Sequence, residues 1–241
     1  MSASMSGLRL FLDVPLAEGQ AAPLDRAQAH YLAGVMRRGP GDALHVFDGR
    51  TGEYEATIAE IGKRAGTLAV GARSRPLRMP PDLDLVFAPI KAARTAFIIE
   101  KAAELGARRI RPVRTARTQS ERLRRERMQA HAIEAAEQCG GTFVPEVADL
   151  EPLARVLDEW EEDRTLVFCD EELAGPLAGW EDVPPGPAGL VIGPEGGFDD
   201  AERARLAARG RAVSLGPRIL RADTAAVAAL SLWQSRHGDW S

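Results

Sequence analysis

Two stretches near the carboxy-terminal end hold the residue types most able to do chemistry. The first, Val191-Ile-Gly-Pro-Glu-Gly-Gly-Phe198, is an apolar run entering a glycine-rich turn; Asp199 and Glu202 beyond it have the spacing of a helix capping box. Gly193, Gly196 and Gly197 lack Cβ atoms, so the backbone there can bend sharply and lie against a flat ligand. A phosphate cradle usually brings a basic side chain, whereas the central one here is Glu195, which suits a neutral or cationic ligand. An ordinary tight turn between strand and helix is the plainer alternative. The second stretch is Leu215-Gly-Pro-Arg-Ile-Leu-Arg-Ala-Asp-Thr-Ala225, where apolar Ile219 and Leu220 sit in a loop between Arg218 and Arg221, as in a pocket wall. The small residues that follow permit close packing against a sheet or a second subunit, or simply make a good helix.

Absences remove whole reaction classes. No G-x-G-x-x-G opens a helix, and neither a P-loop, a G-x-S-x-G elbow nor an H-E-x-x-H pair occurs. The four histidines have no ligand spacing, so no metal site is expected. Cys139 and Cys169 form neither a disulfide framework nor a C-x-x-C pair, and both are expected to be reduced and packed. No apolar run reaches the roughly eighteen residues of a membrane span, and no signal peptide opens the chain, so the expected location is the cytoplasm.

Charge is unevenly spread. The net charge of −4 argues against a general nucleic-acid-coating protein, yet nine arginines lie between Arg108 and Arg127 against Glu121 and Glu126 alone. From Glu146 to Asp182 thirteen acids face only Arg155 and Arg164. Either these are two solvated faces, or the basic one is a local phosphate-binding surface whose RNA affinity falls with salt.

The elements that must position these residues divide at Arg75-Pro-Leu-Arg-Met-Pro-Pro-Asp82, a proline-rich boundary between domains at 1–74 and 82–241. Before it, strands are expected at Leu8–Asp13, Ala43–Asp48, Glu53–Glu60 and Thr67–Arg73, with a helix from Asp25 to Met36; short strands and close turns suggest a small β-barrel. After it, strands at Leu83–Ala88, Ile110–Val113, Thr165–Cys169, Gly189–Ile192 and Ala212–Leu215 alternate with helices. The helices are expected at Ala93–Leu105, Ser120–Cys139, Leu150–Trp160, Asp199–Ala208 and Ala222–Trp233. That succession implies an α/β domain with a mostly parallel, doubly covered sheet. In the first of these helices Lys101 falls within the stripe Phe97, Ile98, Ala102, Leu105, with Arg94 on the same arc; such a lysine must snorkel, pair with a carboxylate or point into a site.

The two carboxy-terminal stretches together resemble the signature of the bacterial RsmE-type 16S rRNA uridine-N3 methyltransferases, members of the SPOUT superfamily. Supporting matches run through most of the chain: His30-Tyr-Leu-Ala-Gly-Val-Met-Arg37 with Gly39-Pro-Gly-Asp42, Glu100-Lys-Ala-Ala-Glu-Leu-Gly106, and Glu134-Ala-Ala-Glu-Gln-Cys-Gly140. The resemblance implies a PUA-like β-barrel followed by a SPOUT-type α/β domain with a C-terminal trefoil knot. It implies an obligate homodimer that binds S-adenosyl-L-methionine in the knot and acts on 16S rRNA of the small ribosomal subunit. The cofactor contacts carry over to Ile192, Gly193, Pro194, Glu195, Gly196, Gly197, Leu215, Gly216, Ile219 and Leu220. Three positions depart from the family pattern: Asp223 replaces a glutamate, Gly141 a frequent arginine and Ala116 a common glutamate.

On this resemblance Arg221 is the expected stabiliser of the uracil imide anion, with Glu195 or Asp223 accepting the proton or orienting Arg221. Lys91, Arg94, Lys101, Arg117 and the basic helix after Ser120 are expected to hold rRNA phosphates, with Arg9, Arg37 and Arg38 extending the grip from the barrel. The alternatives are a SPOUT methyltransferase of tRNA or of another rRNA base, and a non-catalytic RNA-binding protein.

Overall fold

In the computed structural model, which describes residues 7–119 and 122–240, the amino-terminal strands are β1 (Arg9–Phe11), β2 (Ala21–Leu24), β3 (Ala43–Phe47), β4 (Gly52–Ile61) and β5 (Gly66–Pro76). They hydrogen-bond in the order β1-β3-β4-β5-β2, antiparallel except for β1 beside β3. Alternation drives the layer: Tyr54, Ala56 and Ile58 turn inward from β4 while Glu55 and Thr57 face water. The inward set packs with Leu10, Leu24, Leu32, Leu44, Val46, Leu68 and Val70. At about 1.5–3 kcal/mol for each large apolar side chain buried, this cluster is the main drive to form the unit. The short β2 was not anticipated. Pro23 obscures it, yet an edge position tolerates proline.

The segment expected to be one helix from Asp25 to Met36 is instead a short α1 (Arg26–His30) continued by a π-helical turn, Tyr31–Val35. Asp25 starts α1 by closing a capping box with Gln28. Within that turn the bare Cα of Gly34 lies under the His30 ring, where a Cβ would come within 3.1 Å.

The chain divides into two compact units, Met1–Met79 with Ala136–Val144, and Pro80–Ala135 with Pro145–Ser241. Two arginines explain why the short distant segment belongs to the first unit. Arg9 Nη1 donates to the carbonyls of Ala136 (2.6 Å) and Glu137 (2.8 Å), its Nη2 to Gly141 (2.6 Å), and Arg75 Nη1 to Gly140 (2.9 Å). These carbonyls close a helix, where intrahelical donors have run out and a cation is favoured. Arg9 also pairs with Glu53 at 2.6 Å and lies over the Phe47 ring. It is therefore a buried structural strut, and with Nε, Nη1 and Nη2 all engaged inside the protein it is poorly placed to hold an RNA phosphate.

In the second unit every strand pairing is parallel. The strands are β6 (Leu83–Phe87), β7 (Arg109–Arg114), β8 (Glu146–Val147), β9 (Glu151–Pro152), β10 (Thr165–Cys169), β11 (Ala188–Ile192) and β12 (Arg211–Val213). The order is β12-β10-β11-β6-β7-β8, with β9 also on β7. Strands β6 and β11 are buried at every residue, as a sheet covered on both faces requires. The helices are α2 (Ala92–Glu104), α3 (Arg125–Cys139), α4 (Leu153–Asp158), α5 (Asp200–Arg209) and α6 (Ala222–His237). Helix α3 starts later than the expected Ser120, which lies outside the described residues with Glu121, and α4 is shorter because Glu151–Pro152 joins the sheet.

The nine arginines from Arg108 to Arg127 are not one surface. Asp84, fully buried in β6, meets Arg109 at 2.9 Å and Arg111 at 3.9 Å, Arg108 pairs with Asp82, and Arg125 with Glu146. Burial pushes the Asp84 carboxyl above its ordinary range despite the Arg109 hydrogen bond and the nearby Arg164 and Arg111 charges. Arg114, Arg117, Arg122, Arg124 and Arg127 are exposed.

Candidate functional site

Strand order decides where the site forms. The chain passes from β10 to its neighbour β11, then back across β10 to β12, so three successive loops leave neighbouring carboxyl ends, the place where ligands settle in open α/β sheets. Between those loops lies a cavity of about 220 Å³. Ile192, Val213, Leu215, Leu220 and Ala225 form its apolar lining; Asp170, Glu171 and Glu195 bring carboxylates, and Arg218 and Arg221 stand at the loop before α6. Apolar walls with several acids suit a flat heteroaromatic group that also carries hydroxyls and positive charge.

Local sequence builds the wall from β11. Asp199 and Glu202 form the expected capping box, which starts α5 directly after the glycines. Gly197 holds φ +69, a conformation that favours glycine, and a Cβ on it would displace the Glu171 carboxylate of the loop after β10. On the third side, Gly175 N donates to Gly216 O (3.2 Å), Ser214 N to Ala178 O (3.0 Å) and Trp180 Nε1 to Ser214 O (3.0 Å). The segment leaving β12 is thus bonded at Ser214 and Gly216 by the connection between β10 and β11.

A second, wider cavity of about 700 Å³ adjoins the first. Pro194 and Glu195 line both, and Lys91, Arg117, Thr118 and Gln119 surround the second together with Pro89 and Ile90. Arg117 Nη1 donates to Gly196 O at 2.7 Å, so one cation of this groove also braces the glycine turn.

Of the residues singled out as cofactor contacts, the structure brings Ile192, Gly193, Pro194, Glu195, Gly197, Leu215, Gly216, Ile219 and Leu220 to the first cavity, while Gly196 faces the second. Arg221 is exposed at the first cavity. Asp223 is buried; its carboxylate accepts from Arg94 Nη1 and from Thr224 N. Lys91 and Arg117 are exposed in the groove. Lys101 pairs with Glu104 at 2.6 Å and lies over the Phe97 ring, which is the carboxylate-paired alternative for a lysine in an apolar stripe. Arg37 and Arg38 are exposed at the end of the π-helical turn.

Sequence reasoning missed the third wall, Cys169 to Ala174. Cys169 borders the cavity rather than packing in the core, and burial by its neighbours pushes its thiol up to about 12, so it stays protonated; Cys139 is exposed. The available signal was the acidic run Asp170-Glu171-Glu172 immediately after a strand. Among the described residues no three His, Cys, Asp or Glu side chains are grouped to hold a metal ion, and no helix is long and apolar enough to cross a membrane.

A family model described as an RNA methyltransferase domain matches residues 78–234, and one described as an RNA methyltransferase PUA domain matches 24–70. The ribosomal RNA small subunit methyltransferase E of Synechocystis is 34% identical over 215 residues, 86% of this chain and 71% of that protein. The chain belongs to this RNA methyltransferase family. The Bacillus subtilis member is 29% identical across 92% of this chain and 94% of its own length. Among solved structures, a ribosomal RNA small subunit methyltransferase E from Neisseria gonorrhoeae bound to S-adenosyl methionine has a TM-score of 0.89 at 27% identity, covering 98% of this chain and 100% of that one. A Legionella pneumophila methyltransferase in complex with bound SAM has a TM-score of 0.86 at 30% identity, covering 97% and 99%. The α/β methyltransferase fold with an amino-terminal PUA-like domain is therefore common to this chain and these relatives.

Proposed function

We propose that the protein transfers the methyl group of S-adenosylmethionine to N3 of a uridine in 16S rRNA of the small ribosomal subunit. The observation that carries the reading is the wall shared by two cavities: Pro194 and Glu195 separate an apolar, acid-bearing pocket from a groove lined by cations. A methyl donor on one side and an RNA base on the other then meet across a single turn. The cavity residues fit the cofactor: Ile192, Val213, Leu220 and Ala225 suit an adenine face, and the neighbouring carboxylates suit ribose hydroxyls and positive charge. When bound, it supplies an electrophilic methyl on sulfur.

The chain's own residues do the rest. Transfer to nitrogen demands alignment above all, and the braced glycine turn holds that alignment. Uridine N3 must lose a proton before it can attack; Glu195, exposed on the common wall, accepts it. Arg221 stabilises the negative charge that spreads over the imide. Asp223 is better suited to fixing the start of α6 through Arg94 than to taking the proton. Lys91 and Arg117 hold backbone phosphates in the groove, and Arg37 and Arg38 extend the grip from the PUA-like domain. Arg94 and Lys101 are weaker phosphate ligands because each is already paired.

The same reading includes a trefoil knot formed where the segment leaving β12 passes beneath the connection between β10 and β11. Their mutual hydrogen bonds, and the contact of α6 with α2 and β11 beyond them, support it. It includes a barrel domain over 1–74, a methyltransferase domain over 82–241, cytoplasmic location and a homodimer. Leu173, Leu177 and Ile219, exposed on the two bonded loops, supply apolar surface for the second subunit; sedimentation at a monomer's mass would count against that. The decisive test is transfer of labelled methyl to purified 16S rRNA or small subunits, followed by nucleoside analysis. The expected product is 3-methyluridine; label in another nucleoside, or none, refutes the proposal.

A further inference from the structure

We infer that Arg203 is a positioning residue for cofactor capture, a charged strut that holds the three loops of the cavity in their binding arrangement. The inference rests on reading that cavity as the cofactor site. Arg203 lies in the first turn of α5, directly beyond the glycine turn, and its side chain is largely covered. Its Nε donates to Asp170 Oδ1 (3.2 Å), its Nη2 to Glu171 Oε1 (3.2 Å), and its Nη1 is 2.9 Å from Glu172 Oε1. One guanidinium thus gathers three successive acids from the loop that follows β10.

Two of those acids lead to walls. Asp170 is itself buried; its side chain caps the 3-10 turn Glu171–Leu173 by accepting from Glu172 N (3.1 Å), and its N–H donates to Val213 O in β12 (3.2 Å). The Glu171 carboxylate lies against the Cα of Gly197. Arg203 therefore connects the β10 loop both to the helix that continues the glycine turn and, through Asp170, to the end of β12. Without a cation, three successive carboxylates, two of them at the cavity, repel one another, and the loop that carries them is free to open. A ligand then has to order it on binding, which lowers affinity without altering the chemistry of a complex once formed.

The test compares Arg203→Gln and Arg203→Lys with the parent protein by two readouts: amide exchange in the ligand-free protein, and calorimetric titration with S-adenosylmethionine alongside steady-state kinetics. In Arg203→Gln, exchange at residues 171–174 should speed up and the dissociation constant should rise on the order of tenfold, the cost of ordering the released loop on binding. The kcat at saturating cofactor should stay within about twofold and KM for rRNA should not move. Arg203→Lys should recover most of both effects. Exchange or affinity left at the parent value overturns the inference, as does a kcat that falls in step with affinity. A parent protein that takes up no cofactor refutes the proposed function and with it the capture role; the exchange measurement then shows separately whether the strut exists.

Discussion

Gly197→Ala puts a number on how tightly the cofactor cavity is built. The residue holds φ +69, where a Cβ costs about 1–2 kcal/mol. The new methyl also meets the Glu171 carboxylate. The Glu171 side chain is 33% exposed and can swing into solvent, giving up its 3.2 Å bond to Arg203. A partly exposed ion pair of that kind is worth about 0.2–1 kcal/mol. The total is about 1–3 kcal/mol, and it must fall either on the fold or on the cavity. If the turn keeps its shape, the melting temperature drops by about 2–4 °C per kcal/mol. If the turn relaxes, S-adenosylmethionine binds about 10- to 100-fold more weakly. Calorimetric titration and thermal unfolding of the same preparation read both. Adding Glu171→Ala removes the collision and leaves the backbone strain, so the melting temperature should return only in part. Parent-like affinity together with a parent-like melting temperature would refute the steric argument.

Three further outcomes are expected. Arg221→Ala should lower methyl-transfer turnover far more than cofactor affinity, since its charge is needed only as the imide anion develops; equal losses in kcat and binding would remove that role. Replacing Arg37 and Arg38 together by alanine should weaken rRNA binding and flatten the plot of log affinity against log salt by about 0.7–0.9 per lost phosphate contact, measured by filter binding across a salt series. Glu53 bears on acid stability. Burial resists its ionisation, but hydrogen bonds from Arg75 and Arg9 outweigh burial and hold its carboxyl below the ordinary value. Its contribution is therefore present above the ordinary glutamate range and lost as pH falls through the lowered folded value. Denaturant unfolding should show a smaller acid-side loss for Glu53→Gln, on top of a uniform destabilisation from two unpaired arginines.

What could be read from the chain was whatever depends on near neighbours. The capping box at Asp199 is a contact three residues apart, so its spacing reveals it. The alternation of β4 and the apolar run of β11 follow from one-sided and two-sided burial, and the run of β6 is broken only by Asp84. The two glycine and proline turns announced their own geometry. The helix expected from Asp25 to Met36 changes pitch at Tyr31, because apolar spacing does not separate an α turn from a π turn.

Long-range partnership could not be read in this way. Arg9 and Arg117 are the same residue type with no local feature to separate them, yet one is sealed against Glu53 and a helix end while the other stands in an open groove. Asp223 and Arg94 meet across 129 residues of chain. The wall from Asp170 to Ala174 joins the site only because β10 lies between β11 and β12, an order that no single segment encodes. By itself the sequence determined the elements, the turns and the stock of charges, because those answer to energies within a few residues. The tertiary structure decided which arginines are spent on carboxylates and which loops share a cavity, because desolvation and pairing depend on what arrives from the rest of the chain.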